Sequence, residues 1–190
     1  TVDRIGVERI PIVRDLFRNL VTAEGTRAVR EWSELLSVFG DGSGREGIKP
    51  SPTKNADHDL VGAGFTPARA AASDVLHELI NARLLTSYEV RIDEHEPVRQ
   101  VEIIHESLLA NWPRLVRWQT QDADAAQLRD QLRQAARTWD EHARSNDLLW
   151  TGSAYREFAS WRERYPGGLS EIEEAFAAAM TSLATRRRRR

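Results

Sequence analysis

The sequence predicts a mainly α fold: a winged helix, built of three helices and a β-hairpin wing, followed by an α-helical bundle. Two observations predict it. Three amphipathic helical stretches are followed by two alternating strands around an acidic turn, the order of elements in a winged helix. Almost everything after Leu108 then repeats at helical spacing around bulky anchors, tryptophans prominent among them.

The first helix is marked by Val13, Leu16, Phe17, Leu20 and Val21, which recur on one stripe, and Pro11 fits its first turn, where a missing N–H costs nothing. After Gly25 the short "RAV" reads as a brief strand. A second, small helix turns Leu35, Leu36 and Phe39 inward and stops at Gly40. Residues 40–66 are rich in Gly, Pro, Ser and Asp and read as a long surface insertion. Thr66 then caps a third helix with Pro67 as its first residue and Ala72, Val75, Leu76, Leu79 and Ile80 on its buried face. The strands "LLTSYEVRI" and "VRQVEII" flank the turn "DEHEP" and form the wing, with Val101 and Ile103 on one face.

In the second half, Leu108, Leu109, Trp112, Leu115 and Val116 share a helix face, and Pro113 must kink that helix or start a new one. Ala125, Leu128, Leu132, Ala135, Trp139 and Ala143 follow at near-heptad spacing. Phe158, Trp161 and Tyr165 mark another helix. Ser170 and Glu173 form a capping box for the last one, which turns Ile172, Phe176, Ala179, Met180 and Leu183 inward. The expected organisation is a winged-helix domain over 1–118 carrying the 40–66 insertion, a helical bundle over 119–185 and a basic tail at 186–190.

Composition narrows the function. The chain has no cysteine, which excludes disulfides and thiolate chemistry and fits the cytosol. No apolar run approaches a membrane span, and the first residues show no signal-peptide pattern. The chain does not begin with methionine and is expected to be a piece of a longer polypeptide. Without Arg186–Arg190 its 27 basic residues fall to 22 against 29 acidic ones, a net charge of −7. An acidic body is a poor start for nucleic-acid binding, whose affinity comes largely from neutralising phosphates. The third helix offers Arg69, Ser73, Asp74, His77, Glu78, Asn81 and Arg83, with no basic stripe, and the wing tip carries Asp93, Glu94 and Glu96, which phosphates would repel. Nucleic acid is therefore an unlikely partner, and protein contact fits better.

Catalysis and metal binding find little support. "GDGSG" has no following lysine and no strand–loop–helix context, so it is a poor phosphate cradle. His95 between Glu94 and Glu96 has no second ligating element, and no metal site is expected. The run "HES", His105 to Ser107, superficially offers base, acid and nucleophile, but adjacent residues project in different directions and cannot converge on one atom. No catalytic residue is expected. His105 itself has two readings. It is a structural histidine that holds a nearby carbonyl or carboxylate, or, at the end of a strand and the start of a helix, a donor to an anion.

"VEIIHESLLANWPRLVRW", followed by "LLWTGS…FASWRERY…LSEIEEAF", resembles the region after the ATPase module in bacterial STAND-class signalling NTPases, large switch proteins that often end in WD-type repeats. The resemblance is strong from about Asp74 onward, and "HESLLANWPRL" is its most specific motif. It implies a winged-helix and helical region that is regulatory rather than catalytic. In related plant and animal death-switch ATPases a Met-His-Asp motif occupies this junction, and its histidine contacts the β-phosphate of bound ADP. Here Ile104 stands at the Met position as an apolar anchor, His105 at the His and Glu106 at the Asp. Leu108, Leu109, Trp112, Pro113 and Trp118 complete the motif as structural residues. The resemblance thus implies His105 as an ADP phosphate sensor acting through an upstream ATPase module. That module would bring the P-loop "GxxxxGK[ST]" this chain lacks and would bind ADP or ATP with Mg. Further partners would be a downstream repeat or effector domain, with oligomerisation on activation. Arg186–Arg190 reads either as favourable charge at a helix C-terminus or as a basic cluster beside a membrane span in a membrane-anchored parent, with nucleic-acid binding by the tail a third reading. The alternatives are a winged-helix DNA-binding regulator with a helical dimerisation half, and a helical protein-interaction adaptor.

Overall fold

A computed structural model describes residues 5–40, 66–91 and 96–188. Among these, the elements in chain order are α1 (Ile10–Leu20), β1 (Arg30–Glu31), α2 (Trp32–Ser37), α3 (Pro67–Asn81), β2 (Leu85–Val90), β3 (Val98–Ile103), α4 (Ser107–Asn111), α5 (Pro113–Glu141), α6 (Gly152–Arg164) and α7 (Glu171–Arg188). The fold is mainly α with a β-hairpin wing, as the sequence predicts.

α1 takes Pro11 in its first turn and buries Ile12, Val13, Leu16, Phe17 and Leu20. Burying side chains of this size stabilises by roughly 1.5–3 kcal/mol each. α3 starts where Thr66 caps it, its side chain accepting the Arg69 N–H at 3.3 Å, and it buries Ala72, Val75, Leu76 and Leu79. β2 and β3 pair antiparallel with Leu85 opposite Ile103 and Val90 opposite Val98. The short β1 adds to the free edge of β3, giving the sheet order β1-β3-β2. Leu85, Val101 and Ile103 join the buried residues of α1, α2 and α3 in the first core. The brief strand expected at 27–29 lies slightly later, at Arg30–Glu31. Arg27 forms only an isolated bridge to Val21 across a tight turn.

Trp112 is extended (φ −96°, ψ 103°), as the residue before a proline prefers, so α4 ends there and Pro113 opens α5 rather than kinking one helix. α5 runs for 29 residues. Its first turns place Leu115 and Trp118 in the first core. Further along, Leu132, Ala136 and Trp139 enter a second core with Leu149, Phe158, Trp161, Tyr165, Leu169, Phe176 and Met180. The boundary expected after Trp118 thus lies inside a continuous helix that both cores share. The second core is built on aromatic contacts: Trp139 meets Phe176 edge-on at 5.5 Å, Trp150 meets Phe176 edge-on at 5.8 Å, and Trp161 stacks on Tyr165 at 4.4 Å.

Some expected core positions are corrected. Val116 is 37% exposed, because the burial stripe of α5 follows Leu115 and Trp118. Ala143 lies beyond the end of α5, with φ 53°, and is exposed. The long insertion, apart from Gly40 and Thr66, lies outside the described residues, as do Asp93, Glu94 and His95 of the wing tip. The basic tail is not separate from the bundle at its start, since α7 continues through Arg186 and Arg187 to Arg188.

Candidate functional site

The junction between β3 and α4 is fixed from two sides. The Ile104 N–H donates to the Leu84 carbonyl at 3.1 Å, and Arg27 Nη1 donates to the Ile103 carbonyl at 3.0 Å. Ile103 itself is fully buried. The next residues leave the core together: Ile104, His105, Glu106 and Ser107 are all exposed. Ile104 is 42% exposed, so it does not serve as the apolar anchor expected of it. The strand has already spent its inward-facing position on Ile103, and the alternation of faces turns Ile104 out.

His105 Nδ1 accepts a hydrogen bond from the Ser107 backbone N–H at 3.1 Å. A neutral ring whose Nδ1 accepts carries its proton on Nε2, so the network assigns Nε2–H as the free donor. Among the described residues that donor has no partner. The ring therefore does not hold a carbonyl or carboxylate of its own core. Glu106 sits at the N-cap position of α4 with no side-chain capping bond.

Behind the junction the bulky residues of the motif pack inward. Leu109 is buried in the first core and Leu108 packs against it. Trp112 meets Phe17 edge-on at 5.1 Å and Trp118 at 5.9 Å. The motif thus divides into an exposed face, Ile104 to Glu106, and an anchoring face that ties the junction to α1 and α5.

A second group of residues escapes a reading of spacing alone. Asn19 on α1 is 4% exposed, and its Oδ1 accepts from Arg129 Nη2 at 3.0 Å and from Arg133 Nη2 at 2.6 Å. Glu173 on α7 is 1% exposed; it accepts from Arg129 and from the Ser170 N–H, the latter at 2.6 Å. Its oxygen also lies 3.5 Å from Arg133 Nε. Burial pushes the Glu173 carboxyl up, but Arg129 and Arg133 outweigh it and hold the group below the usual carboxylate range. Burial, with Arg129 and Arg30 nearby, brings Arg133 down to about 10. The capping box expected of Ser170 and Glu173 forms its Glu173-to-Ser170 arm, and the same carboxylate binds two buried arginines. The only signal in the sequence is the i, i+4 spacing of Arg129 and Arg133 beside the apolar seam.

The polar cluster lies where the two halves meet. Arg137 pairs with Glu34 of α2 at 2.7 Å, the Ala23 N–H donates to Asp130 at 2.8 Å, and the Glu171 N–H donates to Ser37 Oγ at 3.2 Å. Gly168 approaches so closely that a Cβ there would stand 2.2 Å from the Val38 carbonyl oxygen. The halves are tied by polar contacts along α5 and by the close approach of Gly168 to Val38.

The chain belongs to the family Novel STAND NTPase 1 (nSTAND1), whose model matches residues 2–147. The match covers both the helices before Asp74 and the whole junction motif. No curated protein and no solved structure matches the chain. No helix among the described residues is long and apolar enough to cross a membrane.

Proposed function

We propose that this chain is a non-catalytic regulatory segment of a STAND-type signal-transduction ATPase. In this reading the winged helix stabilises the ADP-bound resting state of an upstream ATPase module and relays nucleotide exchange to downstream sensor or effector domains. The observation that carries it is the state of His105: exposed, held by the Ser107 N–H through Nδ1, with Nε2–H free among the described residues. That donor suits a phosphate oxygen, and a charge-assisted hydrogen bond of this kind is stronger than a neutral one. The described residues contain no group of three or more His, Asp or Glu arranged for a metal. Mg²⁺ and the P-loop are assigned to the upstream module.

A ligand shifts an equilibrium only through different contacts in the two states. ADP docks the junction through His105, and exchange for ATP removes that contact. The ties along α5 support movement of both halves as one body, so displacement at the junction would reach α6 and α7. The test is association of this chain with the upstream ATPase segment, measured with ADP and with ATP. Tighter association with ADP supports the reading; equal association in both removes it.

A further inference from the structure

The turn between α3 and β2 holds an arginine where glycine would fit with less strain. Arg83 has φ 56°, in the left-handed region. Its N–H donates to the Ile80 carbonyl and the following Leu84 N–H to Leu79, at 2.9 and 3.0 Å. This closes the helix in the manner that usually selects glycine. Ala143 and Arg144 are the other non-glycine residues with positive φ among those described. Arg144 is held by Asp140 at 2.8 Å and lies over Trp139. Arg83 is exposed and, among the described residues, its guanidinium makes no ion pair or hydrogen bond. A strained residue that persists without a local partner points to a use outside the chain.

The hairpin register shows what Arg83 stands beside. Leu85 pairs with Ile103, and the Ile104 N–H donates to the Leu84 carbonyl, so the ladder extends one rung past the strands. Arg83 precedes Leu84 and His105 follows Ile104, so the two residues flank this bond on opposite chains of the hairpin end. Arg27 reaches the same end of the hairpin but is engaged, donating to the Ile103 carbonyl and lying 3.8 Å from Glu102. The acidic residues beside the rung are Glu102, which faces Arg27, and Glu106, which follows His105.

We infer that Arg83 is a second anchor for the anion that His105 contacts, binding phosphate oxygens of a nucleoside diphosphate held by the neighbouring module. This rests on the reading of His105 as a phosphate contact. A guanidinium presents parallel N–H donors that match two phosphate oxygens, and an unpaired one needs no existing ion pair to be broken first. Arg27 has the different task of holding the strand end.

The experiment is a titration of the 190-residue chain with inorganic pyrophosphate, following the ring signals of His105 by NMR. The wild-type signals should shift saturably. Arg83→Gly removes the guanidinium and relaxes the backbone, so its Tm should equal or exceed the wild-type value. Its Kd for pyrophosphate should rise about two- to fivefold, the order of one exposed charge contact. Arg83→Lys should recover part of the loss. If Arg83→Gly binds as tightly as wild type while His105 still responds, the role of Arg83 is overturned and that of His105 stands. If the wild-type His105 signals do not respond to pyrophosphate, both fall.

Discussion

Asn19 Oδ1 accepts a 2.6 Å hydrogen bond from Arg133 Nη2, joining the first helix of the winged half to the long helix of the bundle. The same oxygen takes Arg129, so one amide oxygen accepts from two buried guanidiniums. Asn19→Leu leaves both donors short of an acceptor and should destabilise the chain by about 2–4 kcal/mol, whereas Asn19→Asp, which keeps the acceptor and adds charge, should cost less. Urea unfolding of the two variants checks the order.

Glu173 is the anion of the same cluster. Glu173→Gln leaves Arg129 and Arg133 buried without their countercharge, and should cost about 3 kcal/mol at neutral pH. The carboxyl sits below its usual range in the folded chain, so its contribution is present above the unfolded-state value. It is lost as pH falls below about 4.3 toward the folded value. Wild type should therefore lose more stability than Glu173→Gln on acidification through that window, as unfolding at a series of pH values would read.

The helices of the winged half and the wing are legible in the sequence because each has its own local signal: the stripe of α1, Thr66 before Pro67, and the alternation ending at Ile103. The anchoring role of Trp112 follows from the same periodicity, whereas that of Trp118 follows only from the resemblance. The polar cluster is not legible, because arginine at i, i+4 on a long polar helix reads as a solvated face, and only the tertiary approach of α1 and α7 buries it. Val116 and Ile104 fail for a related reason. Periodicity identifies apolar residues near a buried face, but the packing of neighbours decides which of two adjacent ones turns in. The exposure of His105 is likewise a tertiary fact, set by the buried Ile103 two residues earlier.

Gly168 lets the loop before α7 lie against Val38. Gly168→Ala places a Cβ 2.2 Å from a backbone oxygen, which must move. A loss of about 1–3 kcal/mol follows by analogy with overpacking, readable as a lower Tm. The exposed Val116→Ala change should fall within about 0.5 kcal/mol and serves as the control.

The acidic body and the outward face of α3 argue against a DNA-reading role. Glu78 is paired with Arg9 at 2.8 Å, and His77 packs edge-on against Trp32 at 4.8 Å, so part of that face is already engaged. With the five terminal arginines changed to alanine, the chain should show no salt-dependent binding to random duplex DNA at about 0.15 M salt. Measurable binding that weakens steeply with salt would favour the DNA-binding regulator.

The grip of His105 on a diphosphate held by another module, as proposed above, is tested most directly by ADP release. In the protein carrying that ATPase module, His105→Leu should speed ADP dissociation by about 10- to 100-fold, the worth of one hydrogen bond to a charged group. An unchanged ADP dissociation rate in a folded His105→Leu variant would show that the ring does not hold the nucleotide.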